Sequence, residues 1–311
     1  MATTRERAGG ERGDGSRPVW KDHNLHVIRG VTLMAVLGSS SVSPAFPTLA
    51  AELGVSSRQV GLLITVFTLP GVFLTPVAGV LSDKFGRKTV LKPSLLLFGV
   101  AGGACALARD FELLLGLRVL QGVGAAALGA TNVTLIGDLF AGRERTAALG
   151  YNLSVLSTGT ASYPAIGGAL ATFGWYYPFA LPLLAIPIAF LVLFSLHNPE
   201  THNEQGLKEY ARTIWSSVKN RTVAGLFAGS LVTFVLLFGP LIVYLPILMG
   251  QAFRASPLVS GVVVASTSVT TALTSTQIGR LASRFPEKTL VRASFVLYAA
   301  AMALVAFVPS V

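Results

Sequence analysis

Apolar residues gather along the chain in nine long runs, at about 27–50, 58–81, 90–108, 112–136, 146–172, 175–197, 222–249, 258–279 and 290–309. Each is near the length of roughly 20 residues that a helix needs to cross the hydrocarbon core of a bilayer. Strands of a membrane barrel would be about 10 residues long with alternating polarity, and that alternation is absent. The pattern predicts nine membrane-spanning helices. Residues 1–26 are polar and rich in Gly and Arg, and are expected to form a disordered tail. Between the sixth and seventh runs, Leu207, Tyr210, Ala211, Ile214, Trp215 and Val218 recur at helical spacing beside Lys208, Glu209, Arg212 and Lys219. That stripe predicts an amphipathic helix on the membrane surface within a linker at 198–221. The linker divides the chain into a six-helix bundle, 27–197, and a three-helix part, 222–311.

Composition narrows the class. Charged residues are 12% of the 311, against about 25% in soluble domains. The net charge of +10 would suit a nucleic-acid partner. Here, however, the basic residues form short islands between apolar runs, so the expected surroundings are a lipid bilayer and no nucleic acid. The single cysteine, Cys105, excludes an intrachain disulfide or a cysteine-built metal site. His197 and His202 are five residues apart, the wrong spacing for one helical face. No nucleophile–base set or phosphate loop is evident. The chain is read as no enzyme, with no metal and no cofactor.

The basic residues also orient the helices. Twenty of the 24 Lys and Arg fall in the tail or in the even-numbered connections. Three (Arg58, Arg109 and Arg254) fall on the opposite side, and Arg118 falls inside the fourth run. By the positive-inside rule the N-terminus is cytoplasmic and the protein is a multi-pass protein of the plasma membrane.

The chain repeats itself at an offset of 200 residues. GVLSDKFGRKTVLKPS (Gly79–Ser94) aligns with GRLASRFPEKTLVRAS (Gly279–Ser294), and the register extends upstream through Ser56/Ser256 and Gly61/Gly261. Runs seven to nine therefore repeat runs one to three. A full second half would end near residue 397, so the register predicts a twelve-span design of which this chain carries nine.

At these residues the sequence resembles the major facilitator superfamily, and within it the twelve-span drug:proton antiporter branch. GVLSDKFGRK matches the family's loop signature between spans two and three through Gly79, Asp83, Gly86, Arg87 and Lys88. LRVLQGVGAA matches a fourth-span signature through Arg118, Gln121, Gly122 and Gly124. Gly150, Gly159, Pro164, Gly167 and Gly168 resemble the fifth-span antiporter signature, with Tyr163 where the family usually has glycine. Pro44 and Pro47, after Gly38, also fit the drug-exporter branch. The resemblance implies an all-α bundle of the major facilitator type, with six helices followed by a partial half of three. It also implies a secondary transporter that works by alternating access and exports small drug-like or amphiphilic compounds in exchange for protons. An uptake symporter or uniporter, or a truncated protein that transports nothing, is the alternative reading.

The chemistry of each signature sets further expectations. Glycines at 79 and 86 allow a tight turn. Asp83 can cap the next helix or pair with Arg87 or Lys88, and the cluster can latch one half to the other. Arg118 lies about 10 Å inside its span. It is either a buried cation that shares a face with Gln121, with a part in coupling or binding, or a side chain that snorkels to the surface. The fifth-span glycines allow close helix approach, and Pro164 a kink. GxxxG pairs at Gly99/Gly103 and Gly225/Gly229 are read as packing. Asn132 and Tyr244 are candidate cavity residues, although each membrane hydroxyl or amide can instead bond its own helix. No carboxylate falls mid-span to carry a proton; Asp83 and Asp138 come nearest.

Overall fold

The computed structural model describes residues 19–196 and 221–306. The amphipathic stripe, His197, His202, most of the tail and the last five residues lie outside the described residues. Among the described residues, nine helical segments follow in chain order. The first, α1, runs over His23–Ser40, breaks at a 3-10 turn (Ser43–Ala45) and resumes over Phe46–Leu53. Then come α2 (Ser57–Phe85), α3 (Arg87–Cys105), α4 (Phe111–Leu139) and α5 (Gly142–Ala171). The sixth, α6, passes from a 3-10 stretch, Tyr177–Leu184, into Ala185–Ser195. The seventh, α7, runs Arg221–Leu236, widens into a π-helical stretch, Leu237–Tyr244, and ends with Leu245–Gln251. Finally come α8 (Pro257–Arg284) and α9 (Glu287–Ala306). Five of these are long and apolar enough to cross a membrane by composition: α1, α2, α4, α6 and α7. In α5 and α8 serine, threonine and glycine dilute the apolar residues, and α3 and α9 open on charged pairs, Arg87–Lys88 and Glu287–Lys288.

Order begins earlier than the tail assignment to 1–26 allows. Val19–Lys21 forms a 3-10 turn, and Asp22 caps α1 by accepting the Asn24 N–H at 2.8 Å and the Leu25 N–H at 3.3 Å. The break in α1 has a clear chemical cause. Pro44 and Pro47 lack the N–H that a helix would use. The Ser41 hydroxyl and N–H both turn back to the Leu37 carbonyl, and the helix stops there.

The 200-residue register recurs in the helix boundaries. Ser56 caps α2 and Ser256 caps α8, each accepting an N–H three residues on, at 3.3 Å. Helices α2 and α8 then run for 29 and 28 residues, and α3 and α9 start at positions 87 and 287.

Two apolar cores sit at opposite ends of the six-helix part. One gathers Leu25, Ile28, Leu91, Leu95, Ile136 and Val192; the other gathers Phe46, Leu63, Leu114, Trp175 and Phe179 and includes Ile247 of α7. Small residues set the closest crossings. A Cβ on Gly122 would overlap the Phe67 carbonyl of α2, and one on Gly124 would meet the backbone of Ser94 and Phe98 on α3. Gly99, Gly102 and Gly103 likewise admit Pro182, Leu183 and Ile186 of α6. Of the two GxxxG pairs, Gly99/Gly103 therefore sits at a crossing, whereas Gly225 and Gly229 face open space.

The π-helical stretch of α7 follows from Pro240, which offers no N–H to the Leu236 carbonyl. The Tyr298 hydroxyl of α9 also donates to that carbonyl, at 2.7 Å. Tyr298→Phe would remove this bond between α9 and α7 and is expected to cost about 1 kcal/mol. The measurement is the melting temperature in detergent, and a variant that melts with the parent would discount this bond.

Candidate functional site: an uncharged cavity and the signatures around it

The later helices meet the six-helix part mainly at one end of the molecule. There the Pro257–Gly261 turn of α8 crosses α5 at Pro164–Gly168, backbone against backbone. Beside it, Gly250 of α7 seats on Pro47, and the Gln251 Nε2 donates to the Ser57 hydroxyl at 2.8 Å. Ser260, Gly261 and Val264 are buried at this end, whereas Gly150, Ser154, Thr271 and Thr274 are exposed toward the other. Between the closed and open ends lies a cavity of about 780 Å³. Its walls come from α1 (Val36, Ser39, Ser40), α5 (Ser154, Ser157, Thr160, Pro164), α7 (Phe238, Leu241, Ile242) and α8 (Val264, Thr267, Ser268, Thr271). That volume is within the range of small-molecule sites. None of the described lining residues is charged. Asn132 and Tyr244 are not among them.

Asn132 is buried at 4% exposure and lies in a seam between helices. Its Nδ2 donates to the Thr32 hydroxyl of α1, which donates to Asn152 Oδ1 of α5. The amide thus holds three helices together and does not face the cavity. Tyr244 ends the π-helical stretch with half its surface exposed.

Arg118 is 1% exposed and does not snorkel. Its Nε donates to the Leu63 carbonyl at 3.1 Å, and its Nη1 donates to the Gly38 carbonyl at 2.8 Å and to Gln121 Oε1 at 2.7 Å. The Phe67 ring covers it at 4.2 Å. Gly38 is in the last turn of the first segment of α1, where carbonyls lack helical partners and the helix dipole is negative. The guanidinium therefore caps the broken end of α1 and ties it to α2 and α4. No carboxylate approaches it among the described residues.

The loop signature is assembled differently from the sequence expectation. Gly86, at φ 89°, makes the turn between α2 and α3, as only glycine readily does. Gly79 makes no turn; it sits within α2 and faces open space. Asp83 caps nothing. Its carboxylate pairs with Arg87 Nη1 at 2.5 Å, while Arg87 Nε donates to Asp138 of α4 at 3.0 Å. Lys88 donates to the Leu196 carbonyl at the end of α6, at 3.3 Å. The cluster ties α2 and α3 to α4 and α6, all within the six-helix part, so among the described residues it does not latch one half to the other.

The fifth-span residues divide in the same way. A Cβ on Gly167 would overlap the Ser41 carbonyl in the break of α1, and one on Gly168 would overlap the Pro257 carbonyl of α8. Gly159 makes room for the Leu33 side chain and for the ring of Tyr163 one turn on. Pro164 lines the cavity next to this crossing. Gly150 faces open space. The structure thus brings Gly159, Pro164, Gly167 and Gly168 together with α1 and α8, and leaves Gly150 apart. The π-helical turn of α7, which supplies three cavity residues, was not read from the sequence; Pro240, mid-span, was its available signal.

The family profile for the Major Facilitator Superfamily matches residues 30–311. The bacillibactin exporter of Bacillus subtilis (strain 168) is 37% identical over 163 residues, covering 50% of this chain and 40% of the relative. Multidrug resistance protein 1 of the same organism is 32% identical over 201 residues, 63% of this chain and 52% of the relative. The quinolone resistance protein NorA of Staphylococcus aureus (strain MRSA252) is 27% identical over 207 residues, 65% and 52%. The chain spans about half the length of the curated relatives it matches. Among solved structures, a bacterial homologue of the human lysosomal transporter Spinster, in an inward-facing and occupied conformation, superposes with a TM-score of 0.67. It is 18% identical, and the match covers 88% of this chain and 63% of that one. A D-xylose–proton symporter superposes at 0.61 with 16% identity, covering 85% and 70%. At these identities the likeness concerns the fold alone. The profile match over nearly the whole length, the signature residues and the shared helical architecture have one reading: this chain is a membrane protein of the Major Facilitator Superfamily.

Proposed function

We propose that the protein is a secondary transporter of the plasma membrane that exports small amphiphilic compounds by alternating access, with its N-terminus in the cytoplasm. The observation that carries this reading is the cavity of about 780 Å³ walled by α1 and α5 on one side and α7 and α8 on the other. A site shared between repeats can open to either face when one bundle rocks on the other. Gly167, Gly168 and Gly261 supply the pivot, because backbones in contact can tilt without interlocking side chains. With the basic loops inside, the closed end faces outward and the cavity faces the cytoplasm, where an exporter loads. The reading involves no covalent chemistry.

Proton exchange belongs to the same proposal. Asp83 and Asp138, which share Arg87 at the cytoplasmic ends of α2 and α4, are the carboxylates nearest the membrane interior and are the proposed exchange groups.

The test uses everted vesicles loaded with the full chain carrying Ser57→Cys and Gln251→Cys. Those positions face each other across the closed end. The parent should accumulate exporter substrates on acidification of the lumen, and an ionophore that collapses the pH difference should stop it. Bridging the two cysteines with a short bis-maleimide should reduce accumulation to background. Undiminished uptake by the bridged protein would refute rocking about this end, and uptake indifferent to the ionophore would refute proton exchange.

A further inference from the structure

The cavity walls also specify the chemistry of the occupant. Five of the lining hydroxyls direct their protons to carbonyls of their own helix: Ser39 to Val36, Ser154 to Gly150, Ser157 to Leu153, Thr160 to Ser157 and Thr267 to Val264. A hydroxyl that donates to its helix still has acceptor lone pairs on its oxygen. The walls therefore offer acceptors on α1, α5 and α8, separated by apolar patches from Val36, Leu241, Ile242 and Val264. The described lining residues offer no countercharge. Arg118, a buried cation, holds through its Nη1 the Gly38 carbonyl, which precedes the cavity residues Ser39 and Ser40 in α1. Arg29, against the Tyr151 ring toward the open end, is a second cation. Moving a charged ligand into such walls costs several kcal/mol unless a partner awaits it, and Arg118 and Arg29, being cations, supply no such partner to a positive ligand.

Building on the transport reading above, we infer that the substrate is an uncharged amphiphile bearing hydroxyl or N–H donors, and not a lipophilic cation. Its apolar body rests on the α7 patch of Phe238, Leu241 and Ile242. Its donors bond the serine and threonine oxygens of α5 and α8.

Equilibrium binding tests this without requiring transport. Tritiated estradiol, uncharged with two hydroxyls, would be bound to the full chain in nanodiscs and displaced by competitors. Estradiol should compete at least tenfold better than its dimethyl ether, which lacks the donors, and better than either tetraphenylphosphonium or tetraphenylborate. Ser157→Ala with Thr267→Val should weaken estradiol about tenfold and leave the dimethyl ether unchanged. Ser157→Asp should shift the preference toward tetraphenylphosphonium, because it supplies the missing countercharge. Absence of saturable estradiol binding, tighter binding of tetraphenylphosphonium by the parent, or equal competition by the dimethyl ether would each overturn the inference. The estradiol preference in a protein that fails the vesicle assay would instead count against export while supporting this substrate class.

Discussion

Gly168→Leu is expected to abolish transport, while Gly150→Leu, from the same signature, is expected to leave it near the parental level. The two glycines look alike in the sequence but differ in what surrounds them. A Cβ at 168 would overlap the Pro257 carbonyl and lie 3.1 Å from the Gly261 Cα, so the whole α5–α8 crossing would have to separate. Backbone has no rotamer with which to yield, and over-packing of this kind costs about 1–3 kcal/mol or more. A Cβ at 150 would meet no heavy atom within 4 Å beyond its own stretch of helix, and leucine favours a helix over glycine by several tenths of a kcal/mol. Vesicle uptake, normalised to folded protein by size-exclusion chromatography, reads the difference. Should both leucine variants lose activity equally, or neither, the crossing would not be the pivot. Gly261→Leu, on the opposite helix, should reproduce the Gly168 result.

Arg118→Leu should produce the largest loss of stability, about 3 kcal/mol or more, because it removes the donor from two buried carbonyls and from Gln121 together. Leucine fills much of the volume, so the deficit is one of unpaired polar atoms and not of packing. Arg118→Lys should recover part of it. A single ammonium on a flexible stem does not reproduce the fork that reaches α1 and α2 at once. Melting in detergent, with limited proteolysis at the α1 break, measures both variants. A parental melting temperature for Arg118→Leu would mean that the guanidinium carries none of the load assigned to it.

Much of the candidate site could be read in residue order because each signature constrains its own backbone locally. Gly86 turns because a positive φ suits glycine, and the proline pair at 44 and 47 interrupts α1 wherever that helix packs. The partners were another matter. Asp83 and Arg87 are four residues apart, so their pairing follows from helix geometry, but the Arg87–Asp138 contact joins residues 51 apart. The same holds for Asn132, whose polarity suggested a cavity and whose seat between Thr32 and Asn152 only packing discloses. The hydroxyls of α5 and α8 weaken the apolar signal of those helices, which is one reason why composition alone picks out five spans among the nine helical segments of the described residues.

By itself, the sequence determined the order of the described helices, the 200-residue register, the place of a cation within the fourth span and the family. Each of these depends on transfer of side chains from water to lipid or on a backbone requirement within a few residues. Only the tertiary structure decided which glycines meet another backbone, which end of the molecule is closed and which hydroxyls face the cavity. Helices more than 100 residues apart in the chain must lie together before a missing Cβ or an acceptor oxygen has anything to meet.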